Sequence, residues 1–146
     1  MPTIKYLVTN EDILHSWPVI SALRPHLQKD DLLQQVRDMM QDDGYQMLGV
    51  VVEENGVEVV AAFTGFRPMH KLSSGRGIYI DDLSTLPEYR GKGYGGMLLD
   101  YVHHLARESG MSNVQLDSGH HRSPAHRLYL NKGYVISAHH FTRNLD

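Results

Sequence analysis

Ile78-Tyr79-Ile80-Asp81-Asp82-Leu83-Ser84-Thr85-Leu86-Pro87-Glu88-Tyr89-Arg90-Gly91-Lys92-Gly93-Tyr94-Gly95-Gly96-Met97-Leu98-Leu99 reads as a strand, a turn opened by Pro87, and a glycine-rich loop passing directly into a helix. Glycines at 91, 93, 95 and 96 lie beside the basic side chains Arg90 and Lys92. Without a Cβ, such a backbone adopts φ > 0 and lets several N–H groups converge on one anion. The helix behind it adds unsatisfied N–H groups and the positive end of its dipole. This loop is built to hold a phosphate or pyrophosphate.

Upstream of that stretch, Thr3–Val8 has the pattern of a short first strand. Thr9 or Asn10 is placed to cap a helix carrying Ile13, Leu14, Trp17 and Ile20 on one face, and Pro18 predicts a break near Ser16. After the Arg24-Pro25-His26 loop, Asp30 or Asp31 is positioned to cap a second helix with Leu32, Leu33, Val36, Met39 and Met40 as its buried stripe. Gly44 is suited to end it. The period then changes to that of strands. Met47–Glu53 and Val57–Phe66 flank the hairpin signal Asn55-Gly56, and Pro68–Gly77 reads as a loop before the central strand.

Downstream, Leu98, Tyr101, Val102, Leu105 and Ala106 share a helix face that Gly110 terminates. Asn113–Asp117 is a strand, Pro124 opens a helix ending at Gly133, and Tyr134–Ser137 and His139–Asn144 have the pattern of two closing strands. The predicted fold is α/β (α+β): a mixed, mostly antiparallel sheet of about seven strands with a central parallel pair and flanking helices.

A chain of 146 residues, 41% hydrophobic and 21% charged, is expected to form one domain over 1–146 with a substantial core. Its 14 basic and 17 acidic residues give a net charge of -3, which argues against a general nucleic-acid binder. Neither a signal-peptide pattern nor the ~20 apolar residues of a membrane span occurs, so a cytoplasmic protein without membrane partners is expected. The absence of cysteine removes thiolate nucleophiles and disulfides. Ten histidines invite a metal reading, but no recognised ligand spacing appears and no metal is expected.

Gly91-Lys92-Gly93-Tyr94-Gly95-Gly96 satisfies the GxGxxG pattern of dinucleotide folds, with Asp117 about twenty residues on. Four residues separate this glycine run from the strand end, however, and only one crossover exists. The arginine-led reading, Arg90-Gly91-Lys92-Gly93-Tyr94-Gly95, fits [Q/R]-x-x-G-x-[G/A] and is followed by Leu98-Leu99. It resembles the pyrophosphate loop of the Gcn5-related N-acetyltransferase (GNAT) superfamily. The later run Ala125-His126-Arg127-Leu128-Tyr129-Leu130-Asn131-Lys132-Gly133-Tyr134 resembles that family's next motif.

The resemblance implies acetyl-CoA as co-substrate, no metal, and direct acetyl transfer to a primary amine of a small molecule or peptide. It places the coenzyme arm along the backbone of Leu83, Ser84 and Thr85, and the pyrophosphate on Arg90, Gly91, Lys92, Gly93, Tyr94, Gly95 and Gly96. Tyr129 matches the motif tyrosine that protonates the leaving sulfur. Arg122 stands where many members carry an asparagine that touches the coenzyme arm, a departure that brings charge to that contact. Asp81 matches the glutamate proposed as base in spermidine/spermine acetyltransferases but is one methylene shorter, which favours a water relay.

An alkyl amine is mostly protonated at neutral pH, so transfer needs a base. Asp81 and Asp82 are adjacent on a strand and should face opposite sides unless a bulge re-aims them. His120 and His121 are alternative bases. The acidic pair and the net charge lean toward a cationic acceptor such as a polyamine, or a lysine or N-terminal amine of a peptide. Dimerisation is common in the family, so a homodimer is an expectation carried by the resemblance alone. A catalytically silent acyl-CoA-binding sensor and a transferase of another acyl group are the competing functions.

Overall fold

The computed structural model describes residues 1–145; Asp146, the last residue of the expected single domain, lies outside the described residues. The chain forms two compact units, Met1–Gln115 and the stretch from Leu116 onward. In the first, β1 (Thr3–Tyr6) leads to α1 (Asn10–His15), α2 (Trp17–Leu23) and α3 (Lys29–Asp43). Then come β2 (Gln46–Glu54), β3 (Val57–Lys71), β4 (Gly75–Thr85), a single 3-10 turn at Pro87–Tyr89, α4 (Tyr94–Glu108) and β5 (Asn113–Leu116), whose last residue opens the second unit.

The strands form one sheet in the order β1-β2-β3-β4-β5. The first four pair antiparallel, and β5 beside β4 gives the sheet its mixed orientation. β5 starts at the N-terminal end of β4, where the Ser112 N–H donates to Arg76 O at 3.1 Å. Its four residues run beside only part of the eleven-residue β4, so Leu83-Ser84-Thr85 extends past it.

Local chemistry explains most of the boundaries. Thr9, rather than Asn10, caps α1: its hydroxyl accepts from the Asp12 N–H at 3.1 Å, and the Asp12 carboxylate takes the Thr9 N–H at 3.2 Å. The expected break falls at Ser16, with Pro18 in the first turn of α2. α3 starts after Gln28 without a side-chain cap; Asp30 and Asp31 lie in its first turn instead, where they oppose the positive end of the dipole. Gly44, at φ 70°, ends it. Asn55 and Gly56, at φ 53° and 77°, make the two-residue turn between β2 and β3.

Besides the Asp30 or Asp31 cap, two further expectations need correction. The stretch Pro68–Gly77 is mostly strand, because β3 continues to Lys71 and β4 begins at Gly75. Pro68 is tolerated because β2 pairing ends at Phe66, leaving that side of β3 without a ladder to interrupt. Residues 134–145 form no strand, so among the described residues the sheet has five strands, not seven. Alternation supplies a strand's pattern but not its neighbour, and Val135, Ile136 and Phe141 are 78%, 80% and 91% exposed.

The sheet is covered on both faces. Met47, Val60 and Phe63 pack with Leu7, just after β1, and with Ile13, Val19, Ile20, Leu32 and Val36 from the first three helices. By alternation Leu48 and Val50 face the other way, toward the side on which α4 buries Leu98, Leu99, Val102 and Ala106. The second unit contains α5 (Ser123–Asn131), opened by Pro124 and closed where the Gly133 N–H meets Leu130 O at 3.1 Å.

Candidate active site

β4 carries the acidic pair, and its register changes there. Gly65 pairs with Asp82 while Phe66 pairs with Ile80, which leaves Asp81 as the extra residue of a β-bulge. The bulge overrides simple alternation. Asp81 and Asp82 consequently line one cleft of about 500 Å³, together with Asp43 and Met39 of α3, Arg24, Arg67 and Tyr45.

The bulge is held by side chains. Arg24, at the C-terminus of α2, donates to Asp81 O at 2.9 Å and to Asp82 Oδ1 at 3.0 and 3.1 Å. The Thr64 hydroxyl donates to Asp82 O at 2.8 Å. Tyr45 donates to Asp82 Oδ2 at 2.7 Å, and its hydroxyl fits only because residue 65 is glycine: a Cβ there would overlap the Tyr45 oxygen and ring. Burial, reinforced by the Asp82 charge, pushes the Tyr45 phenol up, so it stays a donor.

Both oxygens of Asp82 are therefore occupied. Asp81 is engaged through one: its Oδ2 accepts from Arg67 Nε at 2.9 Å, while Arg67 also lies 5.0 Å from the Tyr79 ring centroid. Burial raises the Asp81 carboxyl above the ordinary carboxylate range, and the Arg67 cation opposes part of that rise. A raised carboxylate with one oxygen outside its ion pair is suited to accept a proton.

Beyond Thr85, the chain turns through Pro87–Tyr89 into the glycine loop. Gly91 and Gly93 have φ of 82° and 84°, and no atom of the described residues lies within 4 Å of where a Cβ would stand at either. Their requirement is backbone conformation rather than crowding. Gly93 caps α4 without a side-chain bond, so the N–H groups of Tyr94, Gly95 and Gly96 open the helix without intrahelical acceptors. Arg90 and Lys92 are both exposed, and the Arg90 Nε sits 3.4 Å from Thr85 O. The loop thus joins the end of β4 to a helix N-terminus with its cations at the mouth, an arrangement that fits a pyrophosphate.

In the second unit, Tyr129 lies half-buried on α5 with its ring edge-on to Tyr134 at 6.0 Å. Burial raises its phenol, opposed by the positive charge of Arg122, the residue at the start of α5. His120 and His121 are exposed in the turn before α5, ring to ring at 5.7 Å. Asp117, the acid that the dinucleotide reading would use, pairs with His140 at 3.1 Å.

The model of the acetyltransferase (GNAT) family matches residues 11–134. The chain belongs to this family. It is 36% identical over 141 residues to the uncharacterized N-acetyltransferase YhdJ of Bacillus subtilis (strain 168), covering 96% of each chain. It is 38% identical over 66 residues to the aminoalkylphosphonate N-acetyltransferase of Salmonella typhimurium (strain LT2), covering 45% of this chain and 43% of that one. The structure of a transcriptional regulator from Bacillus halodurans C-125 shares the fold at a TM-score of 0.83 and 17% identity, covering 99% of this chain and 100% of the other.

Within this GNAT chain, four residues of the cleft escaped sequence reasoning: Arg24, Asp43, Tyr45 and Arg67. They lie far from the acidic pair in sequence, and arginines and a tyrosine at such positions carry no spacing signal. Gly65 was the one accessible hint, since an isolated glycine inside a strand pattern marks a bulge or a close approach.

Proposed function

We propose that this GNAT member is an acetyl-CoA-dependent N-acetyltransferase, moving the acetyl group directly to a primary amine of a small molecule or peptide. The observation that carries the reading is the bulge at Asp81, which turns a carboxylate of raised basicity into a cleft reached from the same strand that leads to the glycine loop. The aminoalkylphosphonate N-acetyltransferase among the relatives supports an amine acceptor.

In this reading residues 1–146 act as one catalytic domain, supported by a family match that runs through both units. Acetyl-CoA supplies an acyl group activated as a thioester. The backbone of Leu83, Ser84 and Thr85 lies along the coenzyme arm, and Arg90 through Gly96 hold the pyrophosphate, with Arg122 adding positive charge. No metal takes part. Asp81 removes a proton from the ammonium form of the acceptor, directly or through one water, and the freed nitrogen forms the new N–C bond as the C–S bond breaks. Tyr129 gives its phenolic proton to the departing sulfur, and the second proton, shed by the new amide nitrogen, returns to the Tyr129 phenolate through water, leaving the amide and the free thiol. A backbone N–H at the end of β4 is the donor to the carbonyl oxygen as charge builds there. Use of acetyl-CoA suits a cytoplasmic place of action; among the described residues no helix is long and apolar enough to cross a membrane.

The test is acceptor-dependent thiol release from acetyl-CoA across a panel of amines. Release confirms transfer. Coenzyme binding without release on any amine would instead fit an acyl-CoA sensor, and release only with longer acyl thioesters would fit another acyl group.

A further inference from the structure

A second cavity, of about 320 Å³, adjoins the acidic cleft and shares Arg24, Met39, Tyr45 and Asp82 with it. Its remaining walls are chemically different. Ile20 of α2, Leu27 of the following loop, Leu32 and Val36 of α3 and Phe63 of β3 contribute apolar side chains, with His26 and Gln35 as the other polar neighbours. Ile20, Leu32, Val36 and Phe63 belong to the hydrophobic core, while Leu27 and Met39 pack against it partly exposed. The slot is therefore an opening into the core beside the carboxylates, not a surface dent.

We propose that the acceptor is a primary amine carried on an apolar body, alkyl or arylalkyl, with the body in this slot and the nitrogen in the cleft beside Asp81. This rests on the transferase reading above and narrows its acceptor. The volume holds a body on the order of ten heavy atoms, taking a water-sized share of roughly 30 Å³ for each. The slot offers no counter-charge for a second ammonium: its one carboxylate, Asp82, already takes Arg24 and the Tyr45 hydroxyl. A polyamine laid in the slot would bury an uncompensated cation among Leu27, Val36 and Phe63. The leaning toward polyamines taken from the acidic pair is thus replaced by an acceptor with one charged end.

The test is a chain-length series, ethylamine through hexylamine plus phenethylamine, against 1,4-diaminobutane and spermidine. Both thiol release and calorimetric binding to the protein with CoA are measured. Burial of each methylene is expected to raise kcat/KM about fourfold until the slot fills, with butylamine preferred over 1,4-diaminobutane by at least tenfold. Leu27→Trp, which intrudes into the slot, is expected to lower the hexylamine-to-ethylamine ratio at least tenfold. The wild-type series stands without this variant if Leu27→Trp fails to fold. Release with a flat chain-length dependence, or with spermidine ahead of hexylamine, overturns the slot while leaving the transferase. Length-dependent binding without release on any amine supports the slot and overturns the transferase. Neither binding nor release overturns both.

Discussion

Asp81 differs from its neighbour by a single register step, and the difference sets which partners each carboxylate takes. Asp82 is a structural anion, tied to Arg24 and Tyr45, whereas Asp81 leaves one oxygen outside its ion pair. Asp81→Asn is expected to lower kcat about 100-fold. Burial raises the Asp81 pKa, so the fold favours its neutral form: that contribution to stability is fully present below the unfolded-state pKa and is lost as pH rises through the folded-state value. The neutral isostere is therefore expected to hold or raise the melting temperature at pH 7 while activity falls, a divergence that a structural role would not give. Arg67→Gln removes the cation that opposes the rise. The acidic limb of the kcat/KM profile should then move to higher pH, and an unmoved limb would exclude Asp81 as the titrating base. Tyr129→Phe is expected to lower kcat by at least tenfold with coenzyme affinity unchanged by calorimetry; a retained rate would remove Tyr129 from the acid role.

At the scale of elements, the bulge in β4 is stabilised from three directions, by Arg24 capping the end of α2, by Thr64 of β3 and by Tyr45 just before β2. Gly65 is where that arrangement is most easily broken. Gly65→Ala is expected to displace Tyr45 and cost about 1–3 kcal/mol in denaturant unfolding, with a larger loss of kcat/KM than the stability change explains. Gly93→Ala forces a Cβ onto a φ of 84°, about 1–2 kcal/mol of strain, and should weaken coenzyme binding with less effect on the amine. Elements with a local cause were legible in the sequence. The Thr9 cap, the break at Ser16, the Gly44 stop, the Asn55-Gly56 turn and the glycine loop each follow from residues within a few positions of one another. The bulge was legible only as a condition, because register depends on a partner strand that sequence spacing does not name. Pro68 was misread for the same reason: a proline excludes a central ladder, and nothing local tells that β2 has already ended.

For the whole molecule, the same distinction between local and distant causes separates what the chain discloses from what only folding assembles. The arginine-led glycine loop, the later Ala125–Tyr134 motif and the element order around them disclosed the family, while the site's polar lining comes from two helix ends, a loop and two strands. The closing strands expected over 134–144 depended on a neighbour as well, and the exposed Val135, Ile136 and Phe141 show that pattern alone did not supply one. The central claim is that Asp81, placed by the bulge, drives acetyl transfer to an amine held in the adjoining cleft and slot. Its most direct test compares the wild-type chain with Asp81→Asn in hexylamine-dependent thiol release from acetyl-CoA, with CoA affinity measured in parallel. The expected result is release by the wild type, about 100-fold slower release by the variant, and equal CoA affinity. A variant that keeps the wild-type rate, or a wild type that binds CoA and releases no thiol with any amine, would contradict it.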